Sequence, residues 1–402
     1  MHIDFTFAGQ LVVHFHQKKY QGTMIVNNIN SKFDNIRPFY DGEINEALRS
    51  ILNDPMMHAI MRFAFPDKTV AEWQKQMHGI YTIQDFQAQI VSKILVQVLA
   101  ESSDGLTTLG FENLDKNTPY LFISNHRDII LDTSLIMFSL YNHNLMLTSS
   151  AIGDNLLKHP FLYTLSKINR NFIIRRGLPA RELLDSSKLI SEYIHHLLID
   201  NKRSVWLAQR EGRTKDGNDA THPGILKMLA MAAEKENLVS YFQTLNIVPV
   251  TISYEYDPTD SLKIPELLAN LNNEKYIKAE NEDFNTIMNG LLGQKKRIHI
   301  QAGNLMNDDL KNLVEIPNAN QQIKALAQMI DQQIIANYRL WSSNYIAYDL
   351  LHQTHKYTYC YRTSEKTAFV ERMGEKINVK DPQSVERFLS MYANPVVNKE
   401  KL

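Results

Sequence analysis

"YLFISNHRDIILDTSLI", Tyr120 to Ile136, decides how this chain is read. An apolar, β-type run ends at Asn125-His126, and a helical apolar pattern begins a few residues later, with Asp128 and Asp132 around the junction. A strand that gives way to a helix through a short polar turn is the repeating piece of an α/β layer structure. Three meanings compete for the turn: a His/Asp pair that moves a proton, the "HRD" loop of a kinase, and a polar cap on a buried helix. A kinase loop needs Lys two residues after the Asp and Asn three further on. Ile130 and Thr133 stand there, and no DFG or glycine-rich loop follows in order. The kinase reading falls, and the other two stay open.

Working outward, short β-rich runs recur at "LTTLGF" (106–111), "LMLTSS" (145–150), "NFIIR" (171–175), "SVWLA" (204–208), "IVPVTISY" (247–254) and "RIHIQ" (297–301). Amphipathic stretches such as Arg181 to Leu198 lie between them. The alternation predicts an α/β fold: a mixed, largely parallel sheet flanked by helices, with ligands met at the strand ends. Asp104-Gly105 reads as a turn where the texture changes. Before it, Ile44, Leu48, Ile51 and Leu52 share a helical face, and Thr82 with Asp85 opens a second helix striped by Ile83, Phe86, Ile90, Ile94 and Val98. After residue 304, Ile323, Leu326, Ile330 and Ile334 form another helical stripe. The expected organisation is a mainly helical region over 1–104, after a short β-like start, an α/β domain over 105–304, and a mainly helical region over 305–402.

The 402 residues carry a net charge of −1 with 22% charged and 44% hydrophobic residues, which argues against bulk nucleic-acid binding and long disorder. The single cysteine, Cys360, cannot close an internal disulfide and suits a reducing compartment. The N-terminal stretch lacks the pattern of a signal peptide, and no uncharged apolar run reaches the roughly 18 residues that span a bilayer. A membrane would be met from its surface.

His126 has the chemistry of a general base near neutral pH, and a carboxylate is needed to fix its tautomer and stabilise the imidazolium. Asp128 and Asp132, four residues apart, would lie on one helical face, and either could reach back. Asn125 or Asp128 could equally serve only as the cap. Downstream, "NRNFIIRRGL" ends a β-like run in Arg175-Arg176, and "SVWLAQREGRTKDG" ends one in Glu211-Gly212-Arg213 and runs on to Lys215. "IVPVTISYEYDP" sets Pro249 inside a strand pattern, which suggests a bulge, a bend or an edge. Together these segments place a His/Asp pair and several cations on consecutive strand-end loops. Guanidinium groups grip phosphate oxygens, so the implied substrate bears a phosphate and a nearby hydroxyl.

In order and spacing, "SNHRDIILD", "FIIRR", "EGRTKDG" and "IVPVTISYE" resemble the four motif blocks of the glycerol-phosphate and lysophosphatidate acyltransferase superfamily. "LTTLGFENL", "GDNLLKHPFLYTL" and "HPGILKMLAM" are similar to the family's connecting segments, so the resemblance covers residues 105 to 303. It implies transfer of a fatty acyl group from acyl-CoA or acyl-carrier protein to a hydroxyl of lysophosphatidate or glycerol 3-phosphate. It implies no metal, no further cofactor and no covalent acyl-enzyme. Carried over residue by residue, His126 is the base and an Asp its partner. Arg175 and Arg213 bind the acceptor phosphate, with Arg176 and Lys215 adding charge. Glu211 and Gly212 position the acceptor, and Pro249 shapes the pocket wall. Two departures stand out. The family's Asp lies five residues after the His, where this chain has Leu131, and its third block has one more residue before the Arg. Asp132 is the favoured partner, with Asp128 close behind. The expected setting is cytoplasmic and peripheral, at the inner face of a membrane. A lipid- or carrier-binding relative without activity, or an enzyme for an aminolipid acceptor, are the alternatives.

Lesser candidates are His14 and His16, at strand spacing a metal can use, and His195-His196, which diverge on a helix. The "DGNDATHPG" stretch reads as a loop into a helix near Gly224. Tyr357, Tyr359 and Tyr361 alternate as an edge or packing face would.

Overall fold

In a computed structural model of the chain, which describes residues 31–233, 237–279 and 282–402, one seven-stranded sheet organises the fold. The β-like start and the His14/His16 pair lie outside the described residues. The strands are β1 (Ser103–Leu109), β2 (Leu121–Ser124), β3 (Ser149–Gly153), β4 (Asn171–Ile174), β5 (Val205–Ala208), β6 (Ile247–Tyr254) and β7 (Lys296–Ala302). Their order is β1-β7-β6-β2-β5-β3-β4, parallel throughout except where β6 meets β7. This is the mixed, mostly parallel α/β architecture expected from the strand–helix alternation.

Both faces of the sheet are covered, and successive residues divide between two cores. Leu121 and Ile123 of β2, with Val205 and Leu207 of β5, pack against helices Ala180–His195, Pro223–Leu229 and Ala319–Asn337. Phe122 and Trp206 turn the other way, toward helices Ser92–Ser102 and Leu131–Asn142. The period of two explains why the central strands read as continuous apolar runs. The predicted helical stripes are all found. Ile44, Leu48 and Ile51 are buried on Asp41–Ile51, and Ile323, Leu326, Ile330 and Ile334 on Ala319–Asn337. Thr82 caps its helix by accepting from the Asp85 amide.

Some local expectations change. Asp104-Gly105 is no turn, because β1 runs through it against β7 and absorbs Gly105, at φ +117°, as an irregularity in register. β3 starts at Ser149 rather than Leu145, since its neighbour β5 first offers pairing at Val205. Pro249 lies in an interior strand without a bulge. Its carbonyl accepts from the Gly303 amide just past the end of β7, so its missing N–H faces the place where that ladder stops. The tyrosines at 357–361 form a short 3-10 turn in which the Tyr361 hydroxyl donates to Asp349.

The C-terminal helices are tied to the strand-end loops. Helix Pro382–Lys399 packs on Ser342–Leu351 and Asp260–Leu271, and Asn394 Nδ2 donates to the Asp216 carbonyl at 2.7 Å. Gly217, at φ +78°, lies so close to Met391 that an added Cβ would collide with its carbonyl oxygen. Gly217→Ala is expected to lower unfolding stability by at least about 2 kcal/mol, because it combines left-handed strain with a backbone clash. Urea denaturation measures it.

Candidate active site

β2 stops at Ser124, and the next three side chains serve both faces of the sheet. Asn125 spans to β6, donating to the Ile252 carbonyl (2.9 Å) and accepting from the Ile252 amide (2.8 Å), so it continues the ladder with its amide group. Arg127, 5% exposed at its side chain, pairs with Asp219 at 2.5 Å, and Asn125 donates to the same oxygen at 3.3 Å. His126 takes the other face, its ring edge-on to Trp206 with centroids 5.5 Å apart. The Trp206 indole is held by donating to Ser124 Oγ at 2.9 Å.

The helix that follows supplies the carboxylates in two different roles. Asp128 Oδ1 accepts from the amides of Ile130 (3.0 Å) and Leu131 (2.8 Å), which makes Asp128 the helix cap. Its other oxygen is buried against Gly290 without a hydrogen-bond partner. Burial, followed by the charge of Asp132, raises its pKa and favours the neutral acid. Asp132, fully buried in the first helical turn, accepts from His126 Nδ1 at 2.8 Å, and from the amides of Arg127 (2.5 Å) and Asp128 (2.9 Å), all at Oδ2. Its Oδ1 accepts from the Tyr254 hydroxyl at 2.8 Å. Burial opposes its charge, but the hydrogen bond and charge of His126 and the two amides outweigh it, and the carboxyl is held below its ordinary pKa. Of the two aspartates left open by the sequence, Asp132 is the one that orients His126.

The loop after β5 is laid across this turn. Gln209 donates its amide to the Ser124 carbonyl and Thr214 to the His126 carbonyl, both at 2.8 Å. This brings Arg213 within electrostatic reach of Asp128, whose ionisation its charge favours. Arg213 Nη1 is buried and, among the described residues, has no hydrogen-bond partner. Gly212 adopts φ +71° with open space around it, so the backbone conformation is what asks for glycine there. Glu211 is turned outward to an ion pair with Arg176, and Lys215 pairs with Glu266.

Arg175 and Arg176 follow β4, three strand spacings or about 14 Å from β2. Arg176 is steered inward, with its amide on Asp154 Oδ1 (3.1 Å) and its side chain over Gly153. Arg175 is exposed and, among the described residues, enters no ion pair. Pro249 is buried in the sheet beside Ile123, short of the polar cluster. The structure therefore joins His126 to Asp132 directly, sets Asp128 at the helix cap with Arg213 within electrostatic reach of it, and links Glu211 to Arg176, while Arg175 and Pro249 stand apart. Sequence reading missed Arg127, Asp219, Trp206 and Tyr254, and saw Asn125 only as a cap or motif letter. Their signal lay in the quoted segments, as a polar residue on each side of His126 and a tyrosine closing an otherwise aliphatic strand.

Chemically, this is an imidazole with one nitrogen engaged by a buried carboxylate and a partnerless guanidinium N–H close by. The buried Arg127–Asp219 pair holds the two loops together, so Asp219→Ala, which strands a buried cation, is expected to cost about 3–5 kcal/mol. Asp128→Asn keeps an acceptor for the Ile130 and Leu131 amides while removing a buried carboxyl, and should change stability by less than about 1 kcal/mol. Because the folded state holds Asp128 with a raised pKa, any advantage of Asn should grow as pH rises through that pKa. Denaturant unfolding at several pH values separates the two variants.

Residues 106–253 match the family model described as Acyltransferase. Among solved structures, the 1-acyl-sn-glycerophosphate (LPA) acyltransferase PlsC of Thermotoga maritima is similar at 12% identity and TM-score 0.33, over 72% of this chain and 94% of that one. No curated protein matches the chain. The matched span contains the His126–Asp132 turn, the strand-end cations and all but the last residue of β6, so this part of the chain is an Acyltransferase-type domain.

Proposed function

We propose that the enzyme moves a fatty acyl group from an acyl thioester to a hydroxyl of lysophosphatidate or glycerol 3-phosphate, with His126 as general base. The observation that carries this reading is the His126–Asp132 hydrogen bond under the loop that carries Arg213, a guanidinium whose buried Nη1 has no hydrogen-bond partner among the described residues. An acceptor phosphate on Arg213 would complete that hydrogen bonding and bring a neighbouring hydroxyl toward His126. Nε2 would take the hydroxyl proton as the oxygen attacks the thioester carbonyl. The tetrahedral adduct would then expel the thiolate, and the imidazolium would return the proton to it as thiol. Asp132, held ionised by its donors, would stabilise the imidazolium between these steps. Glu211, Gly212 and Arg176 would frame the acceptor from the β4 side, with Arg175 and Lys215 contributing long-range charge and Pro249 the sheet behind the pocket.

No metal or further cofactor enters this scheme. Acyl-CoA or acyl-carrier protein is the proposed donor, and a membrane surface, at its cytoplasmic inner face, the proposed source of a lipid acceptor. Among the described residues no helix is long and apolar enough to cross a membrane, so the lipid would be reached from the side of the bilayer.

Thiol release from acyl-CoA and acyl-carrier protein, with and without each acceptor, tests the scheme. His126→Ala is expected to lower acceptor-dependent release at least about 100-fold, the scale of a lost general base. Arg213→Ala should act chiefly on acceptor KM, raising it about 10-fold or more. Release that survives His126→Ala would overturn the mechanism. A folded wild-type protein inactive with every donor–acceptor pair would favour a lipid- or carrier-binding role.

A further inference from the structure

The two oxygens of Asp132 have separate surroundings. Oδ2 is shared by His126 Nδ1 and the amides of Arg127 and Asp128, all close in sequence. Oδ1 meets the Tyr254 hydroxyl, brought there from the end of β6. Tyr254 is 3% exposed and packs in the core that also holds Leu131, Leu135 and Phe122. Its ring is thus fixed by apolar neighbours, and its hydroxyl has a carboxylate as acceptor. Burial, then the charges of Asp132 and Asp128, push the phenol's own ionisation well above its usual range, so it acts only as a neutral donor. Asp257 is a further acid whose field reaches it. Around the imidazole itself stand Asp132 and the uncharged ring of Trp206, with the charged groups Asp128, on the following turn, and Arg213, on the loop laid across it.

We infer that Tyr254 is a positioning residue for the acyl transfer: by pinning Oδ1 it keeps Oδ2 on His126 Nδ1, leaves Nε2 for the acceptor hydroxyl, and draws charge away from the imidazole. This rests on the reading of His126 as base. The Tyr254 hydroxyl bonds Asp132 Oδ1 rather than the imidazole, and it works through that carboxylate. Two consequences follow with definite signs. Without the hydroxyl the carboxylate loses one of its restraints, so turnover falls while acceptor binding is retained. The carboxylate also keeps more of its charge toward the ring, holds the imidazolium more firmly, and yields the neutral base only at higher pH.

Tyr254→Phe removes the hydroxyl and keeps the ring. Expected are a kcat about 10-fold lower, acceptor KM within about twofold, and an acid limb of the pH–rate profile moved up by about half a unit. In an Asp132→Asn background the same change should cost less than about twofold, because the route of action is already cut. Labelled-imidazole NMR of His126 in the folded proteins should show its titration midpoint moving the same way, with no substrate needed. As a second variant, 3-fluorotyrosine at position 254 keeps the core filled and strengthens the donor, so the limb should move down. An unmoved limb and midpoint, or losses from Tyr254→Phe and Asp132→Asn that simply multiply, would overturn the inference. Activity that survives His126→Ala would remove the base reading beneath it. A dead His126→Ala variant beside a wild-type-like Tyr254→Phe would remove this inference alone.

Discussion

The carboxylate of Asp132 is the point on which the site depends. It is fully buried, and a buried charge is tolerable only when nearly all of its lone pairs are used. Four donors use them: an imidazole, two backbone amides and a phenol. The amides come from the turn itself, so the turn must fold tightly around Asp132, the second residue of the helix, for the charge to exist. The phenol comes from the neighbouring strand β6, so the sheet must hold β6 in register with β2. One anion thereby ties the turn, the helix and the sheet into a single rigid unit with His126 at its surface.

On the opposite face of the same three residues, Arg127 and Asn125 converge on Asp219. That pair fastens the loop after β5 to the end of β2 and so sets Arg213 near His126. The alternation of a strand is carried one step beyond its last ladder bond: Asn125 and Arg127 serve the loop, and His126 serves the chemistry. Gly217 against Met391 and Asn394 on the Asp216 carbonyl extend the support to the last helix of the chain. The C-terminal helix thus helps to fix how closely the cation-bearing loop lies over the turn.

Much of this was legible from the sequence, for physical reasons that differ by element. The strand runs stood out because both faces of the sheet are buried, and Ile123 or Val248 has no solvent side to mark with a polar residue. His126 stood out because two carboxylates follow it at a strand end and further strand-end loops carry cations. The choice between Asp128 and Asp132 was not legible. Both spacings reach back on a helix, and only the backbone path of the turn decides that Asp128 caps while Asp132 accepts from the imidazole. Tyr254 and Asp219 were invisible for another reason, since each acts on a residue about 90 or more positions away. Pro249 misled in a third way, because a strand tolerates proline wherever its neighbour happens to stop, and that depends on the length of β7 rather than on anything near residue 249.

The extra residue between His126 and its aspartate, relative to the family pattern, has a structural counterpart. With one residue fewer, the carboxylate would sit about 100° earlier around the helix, since each residue turns an α-helix by that angle. Here the longer turn lets Asp128 take the cap, leaving Asp132 one position into the helix. The two departures from the pattern also lie on facing loops: a longer first turn meets a third segment one residue shorter before Arg213, and the Thr214 amide still closes on the His126 carbonyl.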